Sequence, residues 1–426
     1  MFRSRLFIIT LLFSVLLGAC KQAPKDKDKK PLVAADAEPI LISAKQQDAS
    51  CVYLTQDETS TPIMSWVEVD STTQKKSFYF ARFDAQLNAF GAPLTIPIPQ
   101  NTSIHEEGMP KVAVKSDGTI VAIYETSEPL EDSKWGLGDV RYLQSFDRGA
   151  SWTPARSVAP KDYKAHLSGS FSGITRLSDG EVGIAWLGTT KEGSGRPVKF
   201  AKTIGKEGLT DPVVIDEQAC ECCRIAMDHN GVDGLVVAYR SLRGDNIRDI
   251  AIALSQDNGQ SFQDPISFTG DRWKVNGCPH NGPSLSVFNH QFLVGWFTGK
   301  QGEEGVHYAR LDSLGHLLEK KRVAADGQFI QVDFAADHDQ FMAYNQDYQG
   351  PQGKVQSRIV VEKKLDGEVY KKEVSQPYSQ ANYPVLERTQ NGSLLVAWSD
   401  EGRIFYRLLT PGDIDGMDAS TFLSQH

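Results

Sequence analysis

Ser145-Phe146-Asp147-Arg148-Gly149-Ala150-Ser151-Trp152 recurs, 110 residues on, as Ser255-Gln256-Asp257-Asn258-Gly259-Gln260-Ser261-Phe262. Both segments read Ser-x-Asp-x-Gly-x-Ser-aromatic, and each is flanked by short apolar runs. This is the chemistry of a tight hairpin turn. The Asp side chain can bond the backbone two residues on, Gly supplies a positive φ, and the aromatic folds back over the turn.

Period-2 apolar runs fill the chain on either side of these turns and long helical periodicity is missing, so the fold is all-β. One aromatic marks a repeat: Trp66, Tyr124, Trp186, Tyr239, Trp296, Tyr344 and Trp398, spaced by 48 to 62 residues. Turn signals such as Asp117-Gly118, Asp179-Gly180 and Asn391-Gly392 precede it, and a third and a weaker fourth run follow. Four short strands per repeat is the pattern of propeller blades. The count gives seven blades over residues 39–412; six, with one degenerate repeat, is the alternative. The seventh repeat has three obvious strands, so Pro39-Ile40-Leu41-Ile42-Ser43 is expected to supply its fourth and close the ring. Residues 413–426 form a tail. In such blades the turns between strands 3 and 4 lie on one face. The segments leading into strand 1 and the 2–3 loops lie on the other. The Asp-containing turns are therefore expected to be structural and remote from the channel mouth.

The chain opens with Arg3 and Arg5, an apolar run from Leu6 to Leu17, and Leu17-Gly18-Ala19-Cys20. This resembles a bacterial lipobox, which implies a signal peptide over residues 1–19 and lipidation at Cys20. Acyl chains would hold the protein on a membrane surface. Lys21 after the Cys favours the outer membrane by resemblance to enterobacterial lipoproteins. Residues 20–38 read as a polar tether. Without Arg3 and Arg5, 43 basic residues face 54 acidic ones, a net charge of −11. No basic stripe follows, which argues against nucleic-acid binding.

Two segments carry unusual chemistry. Ala219-Cys220-Glu221-Cys222-Cys223-Arg224 leads into blade 4, and Trp273-Lys274-Val275-Asn276-Gly277-Cys278-Pro279-His280 leads into blade 5. Blade topology brings Cys220, Cys222, Cys223, Cys278 and His280 to one face near the channel. Two explanations stay open. In an oxidising compartment Cys278 can staple to an upstream cysteine, or Cys222 and Cys223 can form a vicinal bond. Alternatively the thiolates and imidazole hold a soft ion, Cu or Zn. Cys51 makes the non-lipidated cysteines odd in number, so one thiol stays outside any set of pairs. On the same face lie His105, Glu106 and Glu107 before blade 2 and His166 before blade 3. The blade 4 loop adds Arg240, Arg243, Arg248, Asp245 and Asp249, and Trp273 offers a stacking surface. His105, Glu106, His166, Arg240, Arg248, Asp249 and Trp273 form the candidate ligand site.

The paired Asp turns and the blades resemble the sialidase/BNR-repeat propellers over most of residues 39–410. That resemblance implies an arginine triad for a substrate carboxylate, a Tyr/Glu nucleophile pair and an Asp acid/base. The family's early Arg-Ile-Pro or Arg-Leu-Pro motif has no match in Cys51-Val52-Tyr53-Leu54 or Met109-Pro110-Lys111-Val112. Cys223-Arg224-Ile225-Ala226 echoes it in another blade, and sialidases have six blades. No catalytic residue is carried over. A closer resemblance is to bacterial envelope proteins described as sialidase-like that carry Cys-x-Cys-Cys, an Arg-Asp pair (Arg248-Asp249) and Trp-x-x-Asn-Gly-Cys-Pro (Trp273 to Pro279). The expected function is ligand or metal binding at a cysteine-rich channel mouth by a membrane-anchored envelope lipoprotein. The alternatives are an exo-α-sialidase or related glycoside hydrolase, and a scaffold for an envelope protein; a glycan is the other expected partner.

Overall fold

The structure, a computed structural model, describes residues 38–415 apart from 46, 131–132, 159–168, 190–194, 233, 335–339 and 366–367. Cys20 and His166 lie outside the described residues. No helix among the described residues is long and apolar enough to cross a membrane.

Seven antiparallel sheets form the blades of a propeller. Their innermost strands are Gln47–Gln56, Lys111–Val114, Ser170–Arg176, Ala226–His229, Ser284–Phe288, Gly327–Phe334 and Ala381–Arg388. Each contacts the next, and Ala381–Arg388 returns to Gln47–Gln56, so the ring is complete. Ile40–Leu41 pairs with Arg403–Leu409, the third strand of blade 7, as expected. This N-terminal strand joins the two ends of the chain and covers an edge that would otherwise be open.

The seven marker aromatics are the anchors of the second strands. Trp66, Tyr124, Trp186, Tyr239, Trp296, Tyr344 and Trp398 are all buried. The core lies between blades rather than within one. Ile63, Phe78 and Phe80 of blade 1 pack with Val112, Ile120, Ala122 and Leu143 of blade 2. Trp66 instead packs toward blade 7, against Leu395, Ile404 and Tyr406. A strand pleat points alternate residues to opposite faces, so each blade feeds two such layers.

The Asp turns join strands 3 and 4 on the face away from the inner-strand starts. In the first, Asp147 Oδ1 accepts from Ser151 N at 2.8 Å and Ser145 Oγ accepts from Gly149 N at 2.7 Å. The second repeats both bonds at 2.9 Å through Asp257, Ser261, Ser255 and Gly259. The Asp thus reaches four residues on, not two as the sequence suggested, because the Arg148-Gly149 and Asn258-Gly259 pairs both turn left-handed. The aromatics cover the preceding blade: Trp152 meets Phe80 edge-on and Phe262 meets Phe200.

Gly259 is required twice over. Its φ is +82°, and a Cβ there would lie 2.1 Å from the Phe200 ring. Gly259→Ala is expected to cost about 2–4 kcal/mol of stability. Gly205→Ala, at φ +49° with open space around it, should cost only about 1–2 kcal/mol. Urea unfolding of both variants checks the difference.

Candidate functional site

The mouth is built where inner strands begin. Four of them carry a register shift there, between Ser50 and Tyr53, Ser170 and Gly173, Gln328 and Gln331, and Asn382 and Val385. At each shift one non-glycine residue is left-handed: Cys51, Phe171, Phe329 and Tyr383. A bulge re-aims side chains and disrupts the ladder locally. The Phe329 and Tyr383 rings meet at 4.1 Å.

At the same mouth the lead-ins to blades 2 and 5 meet. His105 caps the short 3-10 turn Glu106–Gly108, and its Nδ1 accepts from Glu107 N at 3.1 Å. Its Nε2 lies 3.0 Å from His280 Nδ1. A neutral His105 must therefore carry its proton on Nε2 and donate it to His280, whose own proton then sits on Nε2. Burial and the neighbouring imidazole lower the pKa of His105. The Phe171 ring stands edge-on to both imidazoles, at 5.6 and 6.4 Å.

Beneath the imidazoles, Glu107 is buried and paired with Arg224 at 2.7 Å. Arg224 also donates to the carbonyls of Pro283 and Ile330. Glu106 accepts from Cys51 N at 3.1 Å and Ser399 Oγ at 3.2 Å through Oε1, while its buried Oε2 has no partner. Burial pushes its carboxyl up to about 7. Burial also raises Glu125 to about 7 and lowers Lys111 to about 8. Burial, then the charges of Glu106 and Glu107, raise Tyr383 to about 12.

Below Arg224 the channel opens into a cavity of about 380 Å³ lined by Lys111, Arg176, Asp228, Asp333, Glu387 and Arg388 among others. Burial raises Glu387 to about 8. Arg388 holds Asp333 at 2.8 Å.

The expected cysteine convergence is present beside the mouth. Cys222 is bonded to Cys278 and not to its neighbour Cys223, with 5.9 Å between the Cα atoms. Cys220, Cys223 and Cys51 are free and buried. The donor atoms of Cys220, Cys222 and Cys223 lie within 4.8 Å of one another, as do those of Cys222, Cys278 and His280. Those sets are what could hold a metal, but with Cys222 and Cys278 joined, a shell using all five donors needs that bond reduced.

The blade 4 residues turn inward to the protein. Arg240 is buried, and its guanidinium donates to the carbonyls of Arg248, Asn281 and Phe297. It lies 5.2 Å over the Trp273 ring, and Gly299 approaches the same ring closely. Trp273 is thus partly buried against protein groups, and Arg240 spends its Nη1 and Nη2 donors on backbone carbonyls, while its buried Nε has no partner. Arg248 reaches Cys220 Sγ at 2.9 Å and Glu221 at 2.7 Å. Asp249 is buried and accepts from Trp273 N. Sequence reasoning placed His105, Glu106 and His280 at the mouth but missed Phe171, Phe329, Tyr383 and the role of Arg224. Only the bulges reveal them, and a left-handed phenylalanine has no compositional signature.

A family model described as a BNR repeat-like domain matches residues 17–294. No curated protein matches the sequence. The polysaccharide lyase Uly1 is similar in structure with a TM-score of 0.53 at 11% identity, over 87% of this chain and 91% of that one. NanB sialidase from Streptococcus pneumoniae gives 0.48 at 8%, over 88% and 70%. The α-L-arabinofuranosidase of Fusarium graminearum gives 0.46 at 14%, over 74% and 96%. At these identities the Uly1 likeness is one of fold.

Because Glu106 has a raised folded pKa, the folded state holds a proton that the unfolded state releases. Its contribution is present below about pH 4.5 and is lost as pH rises through about 7. Glu106→Gln keeps an acceptor for Cys51 N and Ser399 Oγ. It is expected to raise Tm at pH 8 by about 2–5 °C and to leave it unchanged at pH 4, measured by thermal unfolding across pH.

Proposed function

We propose, from the premise that the chain belongs to the BNR repeat-like domain family, that it is an envelope-tethered propeller binding a saccharide at its channel mouth. The observation that carries this reading is the His105–His280 pair set against the Phe171 ring, with the Tyr383 and Phe329 rings in tilted contact at the same mouth. Aromatic faces pack against the C–H surfaces of a sugar, and the His280 Nε2 proton is a donor for a hydroxyl. The tether is residues 20–38, attached through lipidated Cys20, and the outer membrane is its place.

A second reading, glycoside cleavage at the same mouth, is favoured by Glu106. Its carboxyl titrates near neutrality and has one oxygen free, as a general acid requires. The sialidase form of this reading lacks support. Arg224, the arginine at the mouth, has its guanidinium committed to Glu107 and two carbonyls, whereas a carboxylate fork needs those N–H groups open.

Calorimetric titration of the full chain in detergent with neutral and acidic oligosaccharides is expected to give binding that His280→Ala weakens by about tenfold or more. Absence of heat across the panel overturns the reading. Turnover of a fluorogenic sialoside would favour cleavage instead. For the tether, Cys20→Ser is expected to move the protein from the membrane to the soluble fraction, followed by immunoblotting.

A further inference from the structure

The sulfur cluster is not needed by the saccharide reading, and its arrangement is more specific than a staple requires. Cys220, Cys222 and Cys223 occupy the turn between Val213–Ala219, the outer strand of blade 3, and Ala226–His229, the inner strand of blade 4. Cys220 Sγ lies 3.6 Å from Cys223 Sγ and 3.9 Å from Cys222 Sγ. Cys222 is bonded to Cys278. A dithiol in Cys-x-x-Cys spacing therefore touches an existing disulfide. Depth separates one sulfur from the rest: Cys220, Cys222 and Cys223 are buried, while Cys278 is exposed. Arg248 Nη1 points at Cys220 Sγ from 2.9 Å, and a guanidinium there favours the thiolate, the form that attacks disulfides.

We propose that Cys220, Cys222, Cys223 and Cys278 form a thiol–disulfide exchange centre that moves one bond between the Cys222–Cys278 pair, exposed at Cys278, and the interior Cys220–Cys223 pair. The Cys220 thiolate attacks Cys222 Sγ. The Cys222–Cys278 bond breaks, its electron pair leaves on Cys278, and a Cys220–Cys222 bond forms. Cys223 passes its proton to the Cys278 thiolate and attacks Cys220 Sγ, and Cys222 leaves as a thiolate. Cys220 and Cys223 are oxidised by two electrons, and Cys222 and Cys278 are reduced by the same two. One thiolate is present before and one after, so no external oxidant enters. Arg248 stabilises the starting thiolate and is a positioning residue. Cys278 is the sulfur an external thiol can reach, and the interior pair stores the oxidising equivalent. This centre does not depend on which molecule binds at the mouth.

The test uses the full chain in detergent, equilibrated at a series of reduced-to-oxidised glutathione ratios, quenched in acid, alkylated after denaturation and mapped by mass spectrometry. The expected result is a Cys220–Cys223 bond in molecules whose Cys278 is alkylated. In Cys278→Ser the same interior bond should form, with loss of alkylation at Cys220 and Cys223. Wild-type protein that holds only Cys222–Cys278, with Cys220 and Cys223 alkylated at every ratio, overturns the proposal without recourse to any variant.

Discussion

The carboxylate of Glu107 is the point on which the mouth is assembled. It accepts from the Arg224 side chain at 2.7 Å, from Arg224 N at 3.0 Å and from Gly282 N at 2.6 Å. Arg224 completes its own bonds on Pro283 and Ile330. One ion pair thus ties the lead-ins of blades 2, 4 and 5 to the inner strand of blade 6. A buried pair is worth little over an apolar replacement, but breaking one partner costs about 3–5 kcal/mol because a charge is stranded. Its value here is positional. His105 lies two residues before Glu107, Cys223 one before Arg224, and His280 two before Gly282. Gly282 must be glycine at this point, since a Cβ would lie 2.5 Å from both the Arg224 side chain and its carbonyl. The imidazole pair and the sulfur cluster are therefore registered by the same bonds.

The bulges solve a second problem. Seven inner strands must splay at the mouth without leaving buried N–H groups unbonded. A left-handed non-glycine costs about 1–2 kcal/mol, and it frees backbone donors from the ladder. Buried carboxyls take them up. Glu106 accepts from Cys51 N, and Glu125 accepts from Ser172 N beside Phe171. These acids are held near neutrality by burial, so the groups that complete the backbone are also the titrating groups of the mouth. Such strain, concentrated where a ring of strands opens, is typical of functional sites.

What could be read in advance follows from this division. The seven aromatics were legible because each blade needs one large side chain at the same phase of strand 2, and volume leaves a mark on sequence. Ring closure by Ile40–Leu41 was legible because blade 7 ran out of strands. The convergence of Cys222 with Cys278 followed from topology, since adjacent lead-ins must meet. The inward commitment of Arg240 was not legible. Its three carbonyl partners come from the blade 4 loop and from blade 5, and nothing local distinguishes an arginine that feeds carbonyls from one that awaits a ligand. Trp273 became its cover for the same reason.

The far face shows how far a motif can erode while its physics persists. Blade 5 has no Ser-x-Asp-x-Gly-x-Ser segment, yet Asp312 Oδ1 accepts from His316 N, four residues on, at 2.8 Å. Gly315 there has φ +81°, and its Cβ would fall 2.7 Å from Ile266 of blade 4. Asp147 with Gly149 against Phe80, and Asp257 with Gly259 against Phe200, make the same arrangement. What the turn needs is one carboxylate to gather N–H groups and one glycine thin enough to let the previous blade approach. The serines and the aromatic are refinements. Blade-to-blade locking on this face therefore resides in exposed polar turns, where on the mouth face it resides in the buried bonds of Glu107 and Arg224.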